Sequence, residues 1–322
     1  MANYKVDTKS FGLKKETTRG TAEAAPNKWL MLGRDSELDF SLEQLEHDRL
    51  AIQADAPFVP EAGRKVGKGK LVFDLEAQTI GETLNSLLGA YSGTQVGTST
   101  AYTHTFSKTT STQHPSYSLF MDRGVEAEAY SLAVCKAINL TMDSKGKGQV
   151  TAEWLFKNES STTALATTGF STPDPLMFYH STVVIDTTDV SARVGAFNIK
   201  IDNMADALWL YNTSQLCADI VVGKKMEITG GFDMYFTSTA ERADFLANTS
   251  RKLTFNIIGD LITGSSYYRM LTTLYNCKYN AVPFDSELEG GLLGASMAFK
   301  AYYSISDGKA LDIVIGNQTT TY

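Results

Sequence analysis

Cysteine, histidine and proline are scarce in this sequence of 322 residues, at 3, 4 and 7 respectively. Cys135, Cys217 and Cys277 show no Cys-x-x-Cys spacing and are odd in number. Neither a secreted disulfide framework nor a zinc cluster is written there. His47, His104, His114 and His180 lie in no Gly-x-Ser-x-Gly or His-Glu-x-x-His context, so the base that nucleophilic catalysis requires is not placed. His104 and His114 fall in a Ser/Thr-rich stretch and read as solvated loop residues; His47, between Glu46 and Asp48, reads as part of a wet face. No run of about 18 apolar residues is present, which excludes a membrane-spanning helix. The N-terminus, Met1 to Ser10, carries charge where an export signal needs an apolar run. The expectation is a chain kept in, or assembled from, the cytoplasm. There is no basic excess either. Lys and Arg number 29 against 36 Asp and Glu, a net charge of −7, which argues against a protein that coats nucleic acid.

What is present is an ordinary globular composition, 43% apolar and 20% charged, long enough for about two domains. An internal repeat organises it. Leu38–Leu45 matches Phe197–Met204, both alternating as half-buried strands do. Val66-Gly67-Lys68 is echoed by Val222-Gly223-Lys224, and Phe73-Asp74-Leu75 by Phe232-Asp233-Met234. Cys135-Lys136 leads to Asp143-Ser144 as Cys277-Lys278 leads to Asp285-Ser286. A helical pattern follows the middle strand each time. Thr79–Tyr91 has Thr79 as N-cap and Glu82 completing a capping box; Ser238–Ala247 has Glu241 in the same place. The order strand, long loop, strand, helix, strand, strand, turn, strand thus occurs twice. One large all-β domain with strands alike by chance is the alternative.

The fold class expected is mainly β: tandem duplicated β-sandwich or half-barrel domains, each with one short helix. The expected divisions are an N-terminal arm over 1–29, a first domain over 30–160, a linker over 161–175, a second domain over 176–305 and a C-terminal segment over 306–322. The linker is Ser/Thr-rich and ends in Pro173-Asp174-Pro175. Ala51–Lys65 and Ser92–Ser116 read as long contact loops. Gly63–Lys70 lacks phosphate-loop spacing and reads as a basic hairpin tip; Lys145 and Lys147 form a similar turn. Asp186–Asp189 lacks the glycine and distal glutamate of a calcium loop, and Glu287 and Glu289 read as a charged turn. No catalytic, cofactor or metal residue emerges, and the expectation is no enzyme and no cofactor. Unpaired strand edges and acidic balance point to a self-assembling subunit.

Phe11-Gly12-Leu13-Lys14-Lys15-Glu16-Thr17-Thr18-Arg19-Gly20-Thr21-Ala22, followed by Pro26, resembles the opening of the tail tube (major tail) proteins of long-tailed bacteriophages. Phe197–Asn203, Ile220–Lys224 and Ile228-Thr229-Gly230-Gly231-Phe232 resemble that family's strand, loop and strand pattern. The resemblance implies a virion tail subunit, assembled in the host bacterial cytoplasm. It closes into rings stacked as a tube, through which double-stranded DNA passes without specific binding during ejection into the host. Its partners are then itself and other tail proteins, with no membrane. A duplicated subunit suggests rings of three chains with pseudo-six-fold symmetry; a plain hexamer is the alternative. An acidic lumen would let DNA slide, and Ala51–Lys65 would bridge rings. A tandem β-sandwich adhesin or carbohydrate-binding module fits the same composition.

Overall fold

The computed structural model describes residues 10–46, 60–124, 126–144, 146–162, 175–237, 239–283, 286–287 and 293–322. His47, residues 51–59 of the Ala51–Lys65 segment, Lys145, residues 163–174 of the linker, Ser238, Asp285 and Glu289 lie outside the described residues, as does the Glu287 side chain.

Strands dominate. The first half contains β1 (Ser10–Lys15), β2 (Lys28–Leu30), β3 (Glu37–Leu45), β4 (Glu61–Asp74), helix α1 (Gly81–Leu88), β5 (Gly89–Gln95), β6 (Tyr102–Lys108), β7 (Tyr117–Asp122), β8 (Ala127–Asp143), β9 (Gln149–Phe156) and β10 (Asn158–Thr162). The second contains β11 (Ser181–Ile185), β12 (Thr188–Asp189), β13 (Val194–Asp202), β14 (Asp206–Leu208), β15 (Asp219–Val221), β16 (Glu227–Tyr235), helix α2 (Ala240–Leu246), β17 (Arg251–Thr263), β18 (Ser266–Ala281), β19 (Ser286–Glu287), β20 (Leu293–Ala301) and β21 (Leu311–Asn317). All named pairings are antiparallel.

One continuous sheet crosses both halves in the order β3-β4-β9-β8-β13-β16-β20-β18. A smaller sheet, β2-β1-β7-β8-β10, packs against its first-half end. Another, β12-β11-β17-β18-β21-β6-β5, belongs to the second-half end. The arrangement is an open sandwich around a core of alternating residues such as Leu71, Phe73, Val150, Ala152, Trp154 and Phe156. Strand β8 belongs to two sheets and bends between them. At the bend Leu132 has φ 52°, a conformation that costs an L-residue about 1–3 kcal/mol. The buried Glu16 carboxylate holds it, accepting Leu132 N–H at 2.7 Å, Gly20 N–H at 2.7 Å and Ser116 Oγ–H at 2.5 Å.

The same pairings occur in both halves. β1, β2, β3, β4, α1, β7, β8, β9 and β10 correspond in order to β11, β12, β13, β16, α2, β17, β18, β20 and β21. Two details fix the correspondence residue by residue. A β-bulge in β8 between Cys135 and Ala137, opposite Trp154 and Glu153, recurs in β18 between Tyr279 and Ala281, opposite Phe299 and Ala298. Bulges mark designed positions in a sheet. Across each bulge runs one core-facing row: Leu38, Gly69, Trp154, Cys135 in the first half and Ile199, Gly230, Phe299, Tyr279 in the second, all buried but the half-buried Gly230. The glycine in each row makes room. A Cβ at Gly69 would stand 2.2 Å from Leu38 Cδ2, and one at Gly230 2.5 Å from Phe299 Cζ.

This register corrects the matches drawn from sequence. Leu38 corresponds to Ile199 rather than Phe197, and Cys135 to Tyr279 rather than Cys277. Both true partners lie two residues further on. A shift of two keeps every side chain on its face, so apolar alternation cannot detect it. The Val222-Gly223-Lys224 echo is not a strand at all; β16 begins only at Glu227.

Other expectations change as well. Within the expected arm over 1–29, residues 10–15 and 28–29 are in strands β1 and β2, with Phe11 and Leu13 in the core. Residues 161–162 end β10, and β21 lies within the segment taken as a C-terminal extension. Ser92–Ser116 is no simple loop. It supplies most of the β5–β6 hairpin, which extends the second-half sheet by pairing Phe106 with Ile313 and His104 with Ile315. His104 and His114 are therefore buried, not solvated. His104 Nε2 lies 2.9 Å from Thr319 O, and His114 contacts Ser86 O and the Lys108 amine at 3.0 and 2.7 Å. Gly63–Lys70 runs along β4 rather than forming a hairpin tip. Glu82 caps nothing; it is buried and accepts a hydrogen bond from Tyr117 OH at 2.8 Å, and burial pushes its pKa up.

Candidate assembly interface

The functional surface has to be sought at seams and edges. Among the described residues, no group of three or more His, Cys, Asp or Glu is placed to hold a metal ion. The cysteine thiols are buried, and burial pushes each of them up, Cys277 to about 12. Those are the environments of inert thiols.

The seam between the halves has two layers. In the sheet, β8 pairs with β13 from Ala137 opposite Asp202 to Asp143 opposite Ala196. Above it, the chain between β13 and β16 folds back over the first half as a ribbon of β14 and β15. Cys217, Ile220, Val222 and Ala205 cover Leu132 and Val134, with Leu155 and Trp209 beside them. This explains why β8 is buried on both faces around the bend. The first face meets the core and the second meets the ribbon.

Polar groups lock that cover in place. Arg19 reaches Asp219 Oδ1 at 3.0 Å and Ile220 O at 2.6 Å, and also donates to His114 O. Gln113 donates to Asp219 Oδ2 at 2.8 Å, and Val222 N–H to Thr112 O at 2.8 Å. The fully buried Asn203 amide donates to Cys135 O at 2.8 Å and Leu87 O at 3.0 Å. It ties the end of β13 to both the bulge and the end of α1. Arg64 stacks over the Trp209 ring at 5.0 Å.

Among the described residues, the long sheet has an open strand border at each of its two ends. β3 pairs only with β4 among the described strands. β18 pairs with β17 up to Cys277 and with β20 on the other side, and no described strand pairs with the far border of Lys278–Ala281. The short β19 pairs with β20 alone among the described strands. These borders lie at the two ends of the long sheet, where one chain can continue another.

The face of the long sheet turned away from the core is polar and mixed in sign. Glu37 lies opposite Lys70, which lies opposite Glu153. Asp39 lies opposite Lys68, and Lys300 bonds Glu227. Towards the middle, small neutral residues such as Thr141, Asn198, Thr229, Gly231 and Ser296 line a shallow depression of about 910 Å³, with Asp143, Lys147 and Asp233 also on its lining. A second open trough of about 540 Å³ separates Glu43, Arg64 and Lys68 from Lys136, Asp206 and Lys224. The net negative charge of the chain is not concentrated on this face. Gly63–Lys70, singled out as basic, sends Arg64, Lys68 and Lys70 onto it, where carboxylates stand across from two of them. Sequence reading missed the edges as particular strands. The signal for them was the repeat, which implies one internal junction and one left unmade.

A profile of the family described as phage tail tube protein matches residues 7–301. The search of curated proteins found no match.

Proposed function

The chain belongs to the phage tail tube protein family, and on that premise we propose how it builds the tube. The family is structural, without enzymatic activity, and the chain is a component of the virion tail. Three copies close into a ring with pseudo-six-fold symmetry, each contributing two equivalent halves. Rings stack into a tube with other tail proteins at its ends, and double-stranded DNA passes along the lumen into the host. Assembly takes place in the host bacterial cytoplasm.

One observation carries this reading: a single sheet already runs through both halves and stops at two borders that no described strand occupies. A heterologous contact repeated by rotation closes a ring. The junction of β8 with β13 is one such contact made within the chain, so three chains provide six halves. The polar face of the sheet then lines the lumen. Mixed charge and small neutral side chains suit a conduit: DNA meets neither a lysine-rich surface that would hold it by counterion release nor a uniform wall of carboxylates. This replaces the acidic lumen expected from net charge.

Negative-stain electron microscopy of the concentrated protein tests the reading. Hollow tubes or stacked rings are expected. A protein that stays monomeric, and is retained on a glycan column instead, overturns it in favour of an adhesin.

A further inference from the structure

The internal seam serves as a template for the contact between chains. The bulge places β8 on β18, so Ala137 corresponds to Ala281. The core-facing row places β3 on β13, so Ser41 corresponds to Asp202. Within the chain, Ala137 lies opposite Asp202. Their counterparts Ala281 and Ser41 are both exposed, on borders that no described strand occupies.

The surface beside the seam differs between the halves. Val134 and Leu155, an opposed pair under the apolar ribbon, correspond to Lys278 and Lys300, which are also opposed. Like charges directly opposite on a sheet are destabilising. Glu227 bonds Lys300, whereas Lys278 has no ion pair among the described residues. A carboxylate from outside the chain would complete the set. Counting on from Ser41, Glu43 falls at the place of Met204, which lines the same trough as Leu155, the counterpart of Lys300.

We infer that copies join by repeating the internal seam, with β18 of one copy antiparallel to β3 of the next, Ala281 opposite Ser41 and Lys278 beside Glu43. The partner is a second copy of this chain, and the inference rests on the ring reading above. It also makes the two kinds of seam chemically different. The one within the chain is apolar and permanent; the one between chains is ionic at the same place.

Disulfide trapping tests the register, because the native cysteines are buried. Ser41→Cys with Ala281→Cys, assembled and mildly oxidised, is expected to lose its monomer band on a non-reducing gel and to end at a closed trimer. Glu37→Cys with Ala281→Cys, out of register, keeps its monomer band. Tubes that form while the two pairs cross-link equally overturn the register and leave the ring reading standing. Absence of tubes in the unmodified protein removes the ring reading itself. A charge exchange gives an independent answer should the cysteine variant fail to assemble. Lys278→Glu is expected to abolish assembly, and Lys278→Glu with Glu43→Lys to restore it. Failure of that restoration, in a double variant that folds, contradicts the pairing.

Discussion

Helices α1 and α2 follow corresponding strands, yet all eight residues of α1 are buried, whereas of α2 only Glu241 is, and its Leu246 is 70% exposed. The difference lies in what covers them. α1 is roofed by the rest of its own chain. Tyr322 sits over Gly81 so closely that a Cβ there would stand 2.1 Å from its ring. Asn317 donates to Ala77 O at 2.8 Å, and Asn203 seals the far end. The polar residues of α1 face partners: Asn85 donates to Tyr117 OH, and Ser86 accepts Cys135 N–H. Among the described residues the second half has no such roof. It exposes Tyr302, Tyr303 and Ile305, the last 91% exposed, on a turn held by Ser304 and Asp307. Similar strand pairings therefore do two jobs. The helix of the first half is covered within the chain, and that of the second is left at an exposed end.

The largest effect is expected from exchanging residues between the two seams. Val134→Lys gives the first half the residue its counterpart carries, in the apolar cluster with Ala205 and Ile220, where the nearby Asp219 carboxylate is already held by Arg19. A buried unpaired charge of this kind costs about 3 kcal/mol or more, read as a lower denaturant midpoint. A loss below about 1 kcal/mol would mean the ribbon is not a permanent cover. Removing the Asn203 amide comes next. Asn203→Leu strands the carbonyls of Cys135 and Leu87, at about 1–3 kcal/mol, and protease cutting between β13 and β16 should rise.

The pH dependence follows. Burial and the neighbouring Lys108 hold His114 down at about 4, against an ordinary value of 6.5. The unfolded chain binds this proton first, so the stability from neutral His114 is complete above pH 6.5 and is lost as pH falls toward 4. Glu76, raised to about 7 by burial, acts oppositely. Its contribution is full below its ordinary carboxylate range and is lost as pH rises through 7. Comparing wild type with His114→Gln between pH 7 and 4.5 isolates the histidine, and the variant should lose less stability on acidification. An identical slope would show that the His114 contact beside Arg19 carries none of the dependence. The smallest effect is expected at the open end. Lys278→Val should shift the stability of the lone subunit by no more than about 0.5 kcal/mol, while changing its assembly.

The fold was legible in sequence where physics leaves a periodic trace. Alternation marked the strands around Leu38 and Phe197, and the repeated order of elements marked two copies. The register was not legible, because a two-residue slip preserves alternation; only the paired bulges settle it. The Ser/Thr-rich run hid the β5–β6 hairpin, since its pairing partner β21 lies at the other end of the chain. The Thr79 and Glu82 spacing fitted a capping box, but Tyr117, distant in sequence, drew the carboxylate inward instead. As for the interface, the need for open edges could be read from strand content. Which borders stay open depends on the β8–β13 junction, a contact between halves that no local pattern encodes.

The number of chains in an assembled ring distinguishes a duplicated subunit from a plain hexamer. Native mass spectrometry of single rings, or the symmetry of tube images, should give three chains per ring with six similar lobes. Six chains per ring would contradict the account, because the β8–β13 junction could not then stand in for every second contact around the circle.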